Sequence, residues 1–203
     1  MAANDKSTGA TLEALAALIR EVSVDSAARS QNPEESKRAT EEFSKAREIA
    51  LRRVDRRDYS RGELTEYLVR KRELDPGIVS QILDRFEEVG IVDDARFARN
   101  WAQARLRTRK LSRRAIEREL RVRGVRAEFI DAALDPISGD QERQAALQLC
   151  RAKAAHLPAV DRQVAIRRLA GQLARRGYGS SVAMSVVLQV LDEQADETDP
   201  EAS

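Results

Sequence analysis

The residues best placed to do chemistry in this chain are arginines. Arg105, Arg107, Arg109, Lys110, Arg113 and Arg114 crowd six cations into one short run. A second cluster holds Arg52, Arg53, Arg56, Arg57 and Arg61. A guanidinium is a permanently charged planar fork whose donors match phosphate and carboxylate oxygens. Like charges this close repel unless carboxylates or a polyanion neutralise them. The chemistry on offer is therefore anion recognition rather than bond making. Other candidates are few. His156, the sole histidine, precedes Leu157-Pro158 in a predicted loop. Cys150, the sole cysteine, shares an apolar helix face with Ala146 and Leu149, which predicts a buried, inert thiol. No phosphate-cradling GxxxxGK or GxGxxG loop is present. Asp93-Asp94 follow Gly90-Ile91-Val92 and read as helix N-caps before metal ligands. No catalytic residue, cofactor or metal site is expected, and the chain does not read as an enzyme.

The elements that must position these arginines have to come from a chain of 203 residues. With 42% hydrophobic residues it can bury the core of one or two ordinary domains. Its 36 basic and 34 acidic residues leave a net charge of +2. A single cysteine excludes an intramolecular disulfide framework. No apolar run approaches the roughly 18 residues of a membrane span. Met1 to Ala10 lack the layout of a secretory signal, so the predicted location is the cytoplasm. Only six of the cations are lysines. A GC-rich genome would by itself account for the arginine total, so the positions carry more information than the number.

Periodicity predicts an all-α protein. Strand-type alternation is absent, and apolar residues recur at helical spacing. The predicted helices are 45–57, 60–72, 76–89, 94–108, 112–123, 126–135, 141–155, 161–176 and 180–194. Ser60-Arg61-Gly62-Glu63 fits a capping box, and Asp75-Pro76 an N-cap followed by a first-turn proline. Gly90, Gly124 and Gly177 stand where helices should stop. The middle helix of each set of three aligns with the others. Leu64 and Leu68 match Ile116 and Leu120, which match Leu169 and Leu173. The third helices repeat an apolar stripe: Ile78, Val79, Ile82, Leu83 and Phe86; Phe129, Ile130, Ala133, Leu134 and Ile137; Val182, Ala183, Val186, Val187 and Val190. A period near 52 residues indicates tandem three-helix units. The predicted repeats are 44–92, 93–138 and 139–195. An N-terminal extension, 1–43, expected to be largely disordered apart from one short amphipathic stretch from Leu12 to Val22, precedes them, and an acidic tail, 196–203, follows.

Charge follows the repeats. Net charge is +4 over 44–74, −3 over 75–92, +7 over 93–123, −1 over 124–160, +4 over 161–177 and −6 over 178–203. First and second helices are thus basic, and third helices neutral or acidic. Basic helix-turn-helix corners suit phosphates or an acidic protein groove. Trp101, Phe97 and Tyr67 could stack on bases. However, Phe97 and Trp101 share a helix face with Ala104, which predicts core.

Several of these residues carry a family resemblance. Ala50-Leu51 through Arg57, then Ser60-Arg61-Gly62-Glu63-Leu64 and Leu68, resemble the opening of RecX proteins. So do Val79 through Leu83 and the segment Gly90-Ile91-Val92-Asp93-Asp94-Ala95-Arg96-Phe97-Ala98. The resemblance is good over 45–135, weaker over 141–195, and does not extend to 1–43. It implies three tandem three-helix repeats in an elongated, curved arrangement. It implies a regulator of the RecA recombinase that binds the RecA–single-stranded DNA filament and suppresses ATPase and strand exchange. The candidate contacts are Arg52, Arg53, Arg57, Arg61, Arg105, Arg107, Arg109, Lys110, Arg113 and Arg114. The protein is expected to be a monomer. Charge reversal of Arg109, Lys110, Arg113 and Arg114 is expected to weaken filament binding with helicity intact. A stand-alone helix-turn-helix-like DNA-binding protein and a helical scaffold remain as alternatives.

Overall fold

The computed structural model describes residues 33–198. The predicted amphipathic stretch over 12–22 and the end of the acidic tail lie outside them. The helices are α1 (Pro33–Val54), α2 (Arg61–Thr65), α3 (Pro76–Glu88), α4 (Asp94–Arg109), α5 (Arg113–Val122), α6 (Ala127–Leu134), α7 (Gly139–Ala154), α8 (Arg162–Arg175) and α9 (Ser180–Thr198). A π-helical stretch, Glu66–Lys71, continues α2. No strand occurs among the described residues. The chain forms two compact units divided between Asp93 and Asp94.

Each set of three helices closes its own core. In the first unit, Ala46, Ala50, Leu64, Leu68, Val79, Ile82, Leu83 and Phe86 pack together. The second unit holds two cores. One gathers Phe97, Ala98, Ile116, Leu120, Ile130 and Leu134, the other Cys150, Leu169, Leu173, Ala183, Val186 and Val190. The three leucine or isoleucine pairs aligned by sequence are all essentially inaccessible. The third-helix stripe is narrower than expected. Its first position lies at the rim: Ile78 and Phe129 are half-buried and Val182 is exposed. The reason is geometric, because five positions span more arc than two neighbouring helices cover.

Two other expectations change. α1 begins at Pro33, well before the predicted start at residue 45. Residues 37–42 are exposed, so this extension has no apolar periodicity to betray it. On α4, Ala104 is exposed and Trp101 half-buried. The buried face runs instead through Asp94, Phe97, Ala98 and Ala102. Asp93 stands just before this helix and Asp94 in its first turn, where the helix dipole favours an acid. Cys150 is buried, which pushes its thiol up to about 11.

Every second helix starts from a side-chain cap. Ser60 Oγ accepts from the Glu63 amide at 3.1 Å, and Glu63 accepts from the Ser60 amide in return. Ser112 caps α5 and Asp161 caps α8. Each such cap contributes about 1 kcal/mol. The ends of these helices differ. The Val125 amide donates to Leu120 O, and the Tyr178 amide to Leu173 O, each at 3.2 Å. The residue before each donor is a left-handed glycine, Gly124 (φ 70°) or Gly177 (φ 89°). In the first repeat the Leu74 amide reaches Leu68 O, one residue further along. There the left-handed residue is Glu73 (φ 56°). The first repeat therefore carries one extra residue at this point, and the π-helical stretch absorbs it.

Candidate functional site

The sequence-predicted arginines fall into three groups once their partners are known. The first group braces the fold. Arg61 is the first residue of α2, and its guanidinium reaches Asp84 at 2.6 Å and Glu87 at 2.7 Å on α3. The equivalent positions after the other two caps also hold arginine. Arg113 donates to Ile137 O at 3.1 Å, just beyond α6. Arg162 meets Asp192 on α9 at 2.5 Å. In each repeat, one arginine thus ties the start of the second helix to the third helix or its end. Arg61 is about a quarter exposed, so solvent screens part of its attraction. Arg61→Ala is expected to destabilise the first unit by about 1 kcal/mol. Thermal unfolding followed by circular dichroism checks this through a midpoint lowered by a few degrees.

Arg57 and Arg105 also have local partners. Arg57 holds Glu63 through two donors at 3.1 and 3.2 Å and lies 3.6 Å from the Tyr59 ring centre. Arg105 donates to Glu119 at 2.8 Å and lies over Trp101. The Trp101 indole donates to the same carboxylate at 2.9 Å, and Arg123 lies 3.8 Å from its ring centre. Trp101 is therefore packed among protein groups rather than held out for a base.

The second group lies in a shallow cavity of about 220 Å³ on the first unit, lined by Ile49, Arg52, Arg53, Arg56, Tyr67 and Arg72. Arg53 is half-buried, with its guanidinium 4.7 Å from the Tyr59 ring centre and 4.2 Å from that of Tyr67. Its Nε is buried without a hydrogen-bond partner. Arg52 is exposed and pairs with Glu48 at 2.5 Å. Sequence reasoning did not single out Arg72. The available signal was the missing stop glycine, since Gly124 and Gly177 have no counterpart after the first second helix.

The third group stands at the corner between α4 and α5. Lys110 turns the chain in a left-handed conformation (φ 52°), and its Nζ donates to Gln148 on α7 at 2.6 Å. The corner's backbone is held by the third repeat. The Ser112 amide donates to Arg176 O at 3.0 Å, and the Tyr178 hydroxyl to Lys110 O at 2.9 Å. Arg176 also donates to Arg109 O. Burial raises the Tyr178 phenol well above its ordinary range, which keeps that donor protonated. Arg107, Arg109 and Arg114 are exposed on this fixed frame, and their side chains have no partner among the described residues. Beside them, Arg107 and Lys110 border a groove between α4 and α7 that also presents Asn100, Gln103 and Gln144. No His, Cys, Asp and Glu cluster among the described residues could hold a metal ion. None of the described helices is long and apolar enough to cross a membrane.

Three-helix units in tandem, each with a capped and arginine-braced second helix, define a helical repeat protein with cationic corners suited to anions. Family comparison agrees with this architecture. Residues 46–86 match the model described as the RecX first three-helix domain, and residues 93–134 that of the RecX second three-helix domain. The chain is 42% identical over 154 residues to the regulatory protein RecX of Streptomyces coelicolor, covering 76% of this chain and 81% of that protein. It is 43% identical over 157 residues to the regulatory protein RecX of Thermobifida fusca, covering 77% and 84%. The chain belongs to the RecX family, a family of regulatory proteins. The crystal structure of RecX from Lactobacillus salivarius shares the fold, with a TM-score of 0.64 at 15% identity, covering 74% of this chain and 97% of that one.

Proposed function

We propose that this protein is a cytoplasmic, monomeric regulator of the RecA recombinase with no reaction of its own. It binds the RecA–single-stranded DNA filament and suppresses ATPase and strand exchange. Family membership supports a regulatory role. The observation that carries the reading on this chain is the α4–α5 corner. Arg107, Arg109 and Arg114 present charge with no partner among the described residues, on a backbone that three hydrogen bonds from the third repeat hold in place. A fixed cationic corner beside an amide-lined groove suits a mixed surface of carboxylates, backbone amides and phosphates. Binding one filament conformation more tightly than others lowers ATP turnover by shifting the filament's equilibrium.

The test is RecA ATPase on single-stranded DNA with and without the protein. Inhibition at micromolar concentrations, with accelerated filament loss, is the expected result. No inhibition and unchanged filament lifetime would overturn the proposal.

A further inference from the structure

We infer that the cavity of Arg52, Arg53, Arg56 and Arg72 on the first unit is a phosphate site for the backbone of a single-stranded nucleic acid. The inference deepens the function proposed above by naming the group this surface holds. It can be tested without RecA, so either reading can fail alone.

Four guanidiniums line the cavity and no carboxylate does. Arg52 alone has an acidic partner, Glu48, in an exposed pair within one helix. Arg53, Arg56 and Arg72 make no ion pair among the described residues. Three unneutralised guanidiniums carry three positive charges, whereas one carboxylate supplies a single negative charge. A phosphodiester chain delivers a charge at every step and offers several acceptor oxygens at each. Arg53 is positioned in advance, with its guanidinium carbon held over the rings of both Tyr59 and Tyr67. Less side-chain freedom is then lost when an anion arrives.

The π-helical stretch explains how the cavity is assembled. Tyr67 and Arg72 are five residues apart. On a regular α-helix, residues five apart point about 140° away from each other. The wider π turn, which closes its hydrogen bonds five residues apart, brings such residues onto one face. The extra residue of the first repeat thus carries Arg72 round to join Tyr67 and the α1 arginines. The aligned second helices end in regular glycine stops and do not make this turn.

The experiment measures anisotropy of a labelled oligothymidylate strand titrated with the full chain over a range of salt, with no RecA present. Arg56→Gln/Arg72→Gln removes two exposed cations that make no core contact. Its association constant should fall about tenfold or more, and its log–log salt slope should flatten by about 1.4, the value for two lost phosphate contacts. Lys37→Gln/Arg38→Gln removes equal charge from the exposed start of α1, and should change affinity by less than about threefold. Circular dichroism verifies that both variants fold. Equal loss in the two variants would mean diffuse attraction and overturn the site. So would wild-type protein that does not bind the strand even at low salt. Unchanged DNA affinity in Arg56→Gln/Arg72→Gln, with weakened binding to DNA-free RecA, would assign the cavity to a protein carboxylate and likewise overturn the inference.

Discussion

Replacing Arg107, Arg109 and Arg114 together by glutamate should reduce inhibition of the RecA ATPase by about tenfold or more, with the thermal midpoint nearly unchanged. All three side chains are exposed and lack partners among the described residues, so little native interaction is lost. The effect on an anionic partner is larger, because three attractions become three repulsions on a corner that cannot swing away. Rim charges act chiefly through encounter rate, so the loss should shrink as salt rises. Inhibition titrations at two salt concentrations, alongside a melting curve, check both parts. Undiminished inhibition would move the functional surface off this corner. The choice of residues matters. Reversing Lys110 or Arg113 would also break the bond to Gln148 or to Ile137 O, and so would mix lost binding with lost structure.

Gly177→Ala should destabilise the second unit by about 2–4 kcal/mol. Two costs add. The left-handed backbone (φ 89°) disfavours any side chain. A Cβ here would also stand 2.5 Å from Ser112 Oγ and 2.7 Å from the Ala115 Cβ. Those atoms belong to the cap and first turn of α5, so neither is the loose end of a flexible side chain. Relief requires the 176–178 turn to withdraw from the 109–112 corner, which weakens the Ser112–Arg176 and Tyr178–Lys110 hydrogen bonds. Denaturant unfolding of the full chain should show a lowered midpoint. The same substitution at Gly90 meets no atom within 4 Å and should cost only the backbone penalty of about 1–2 kcal/mol. Equal losses at the two glycines would refute the steric account.

Much of the architecture was readable because the physics that builds it is local and repeated. Leu64, Ile116 and Leu169 announce one face by their spacing, and Ser60 announces a helix start by its capping box. What escaped the reading depends on partners far away in sequence. Nothing near Arg61 indicates that Asp84 and Glu87 will neutralise it. Nothing near Lys110 indicates that the hydroxyl of Tyr178 will fasten its carbonyl. Six cations in a run therefore looked like one surface, although Arg105, Lys110 and Arg113 brace the structure and Arg107, Arg109 and Arg114 do not. The start of α1 escaped for the opposite reason, since a solvated helix with no core to face leaves no periodic trace.

One extra residue in the first repeat would read as a one-position gap in an alignment of the three copies. In space it acts as a phase shift. It turns the side chains after Leu68 about the helix axis while the buried Leu64 and Leu68 stay in register. Deleting one residue within Glu66–Lys71 would therefore rotate Arg72 away without altering composition or charge. Tandem copies of one fold can thus come to present different faces by a change of angle, with no new side chain required.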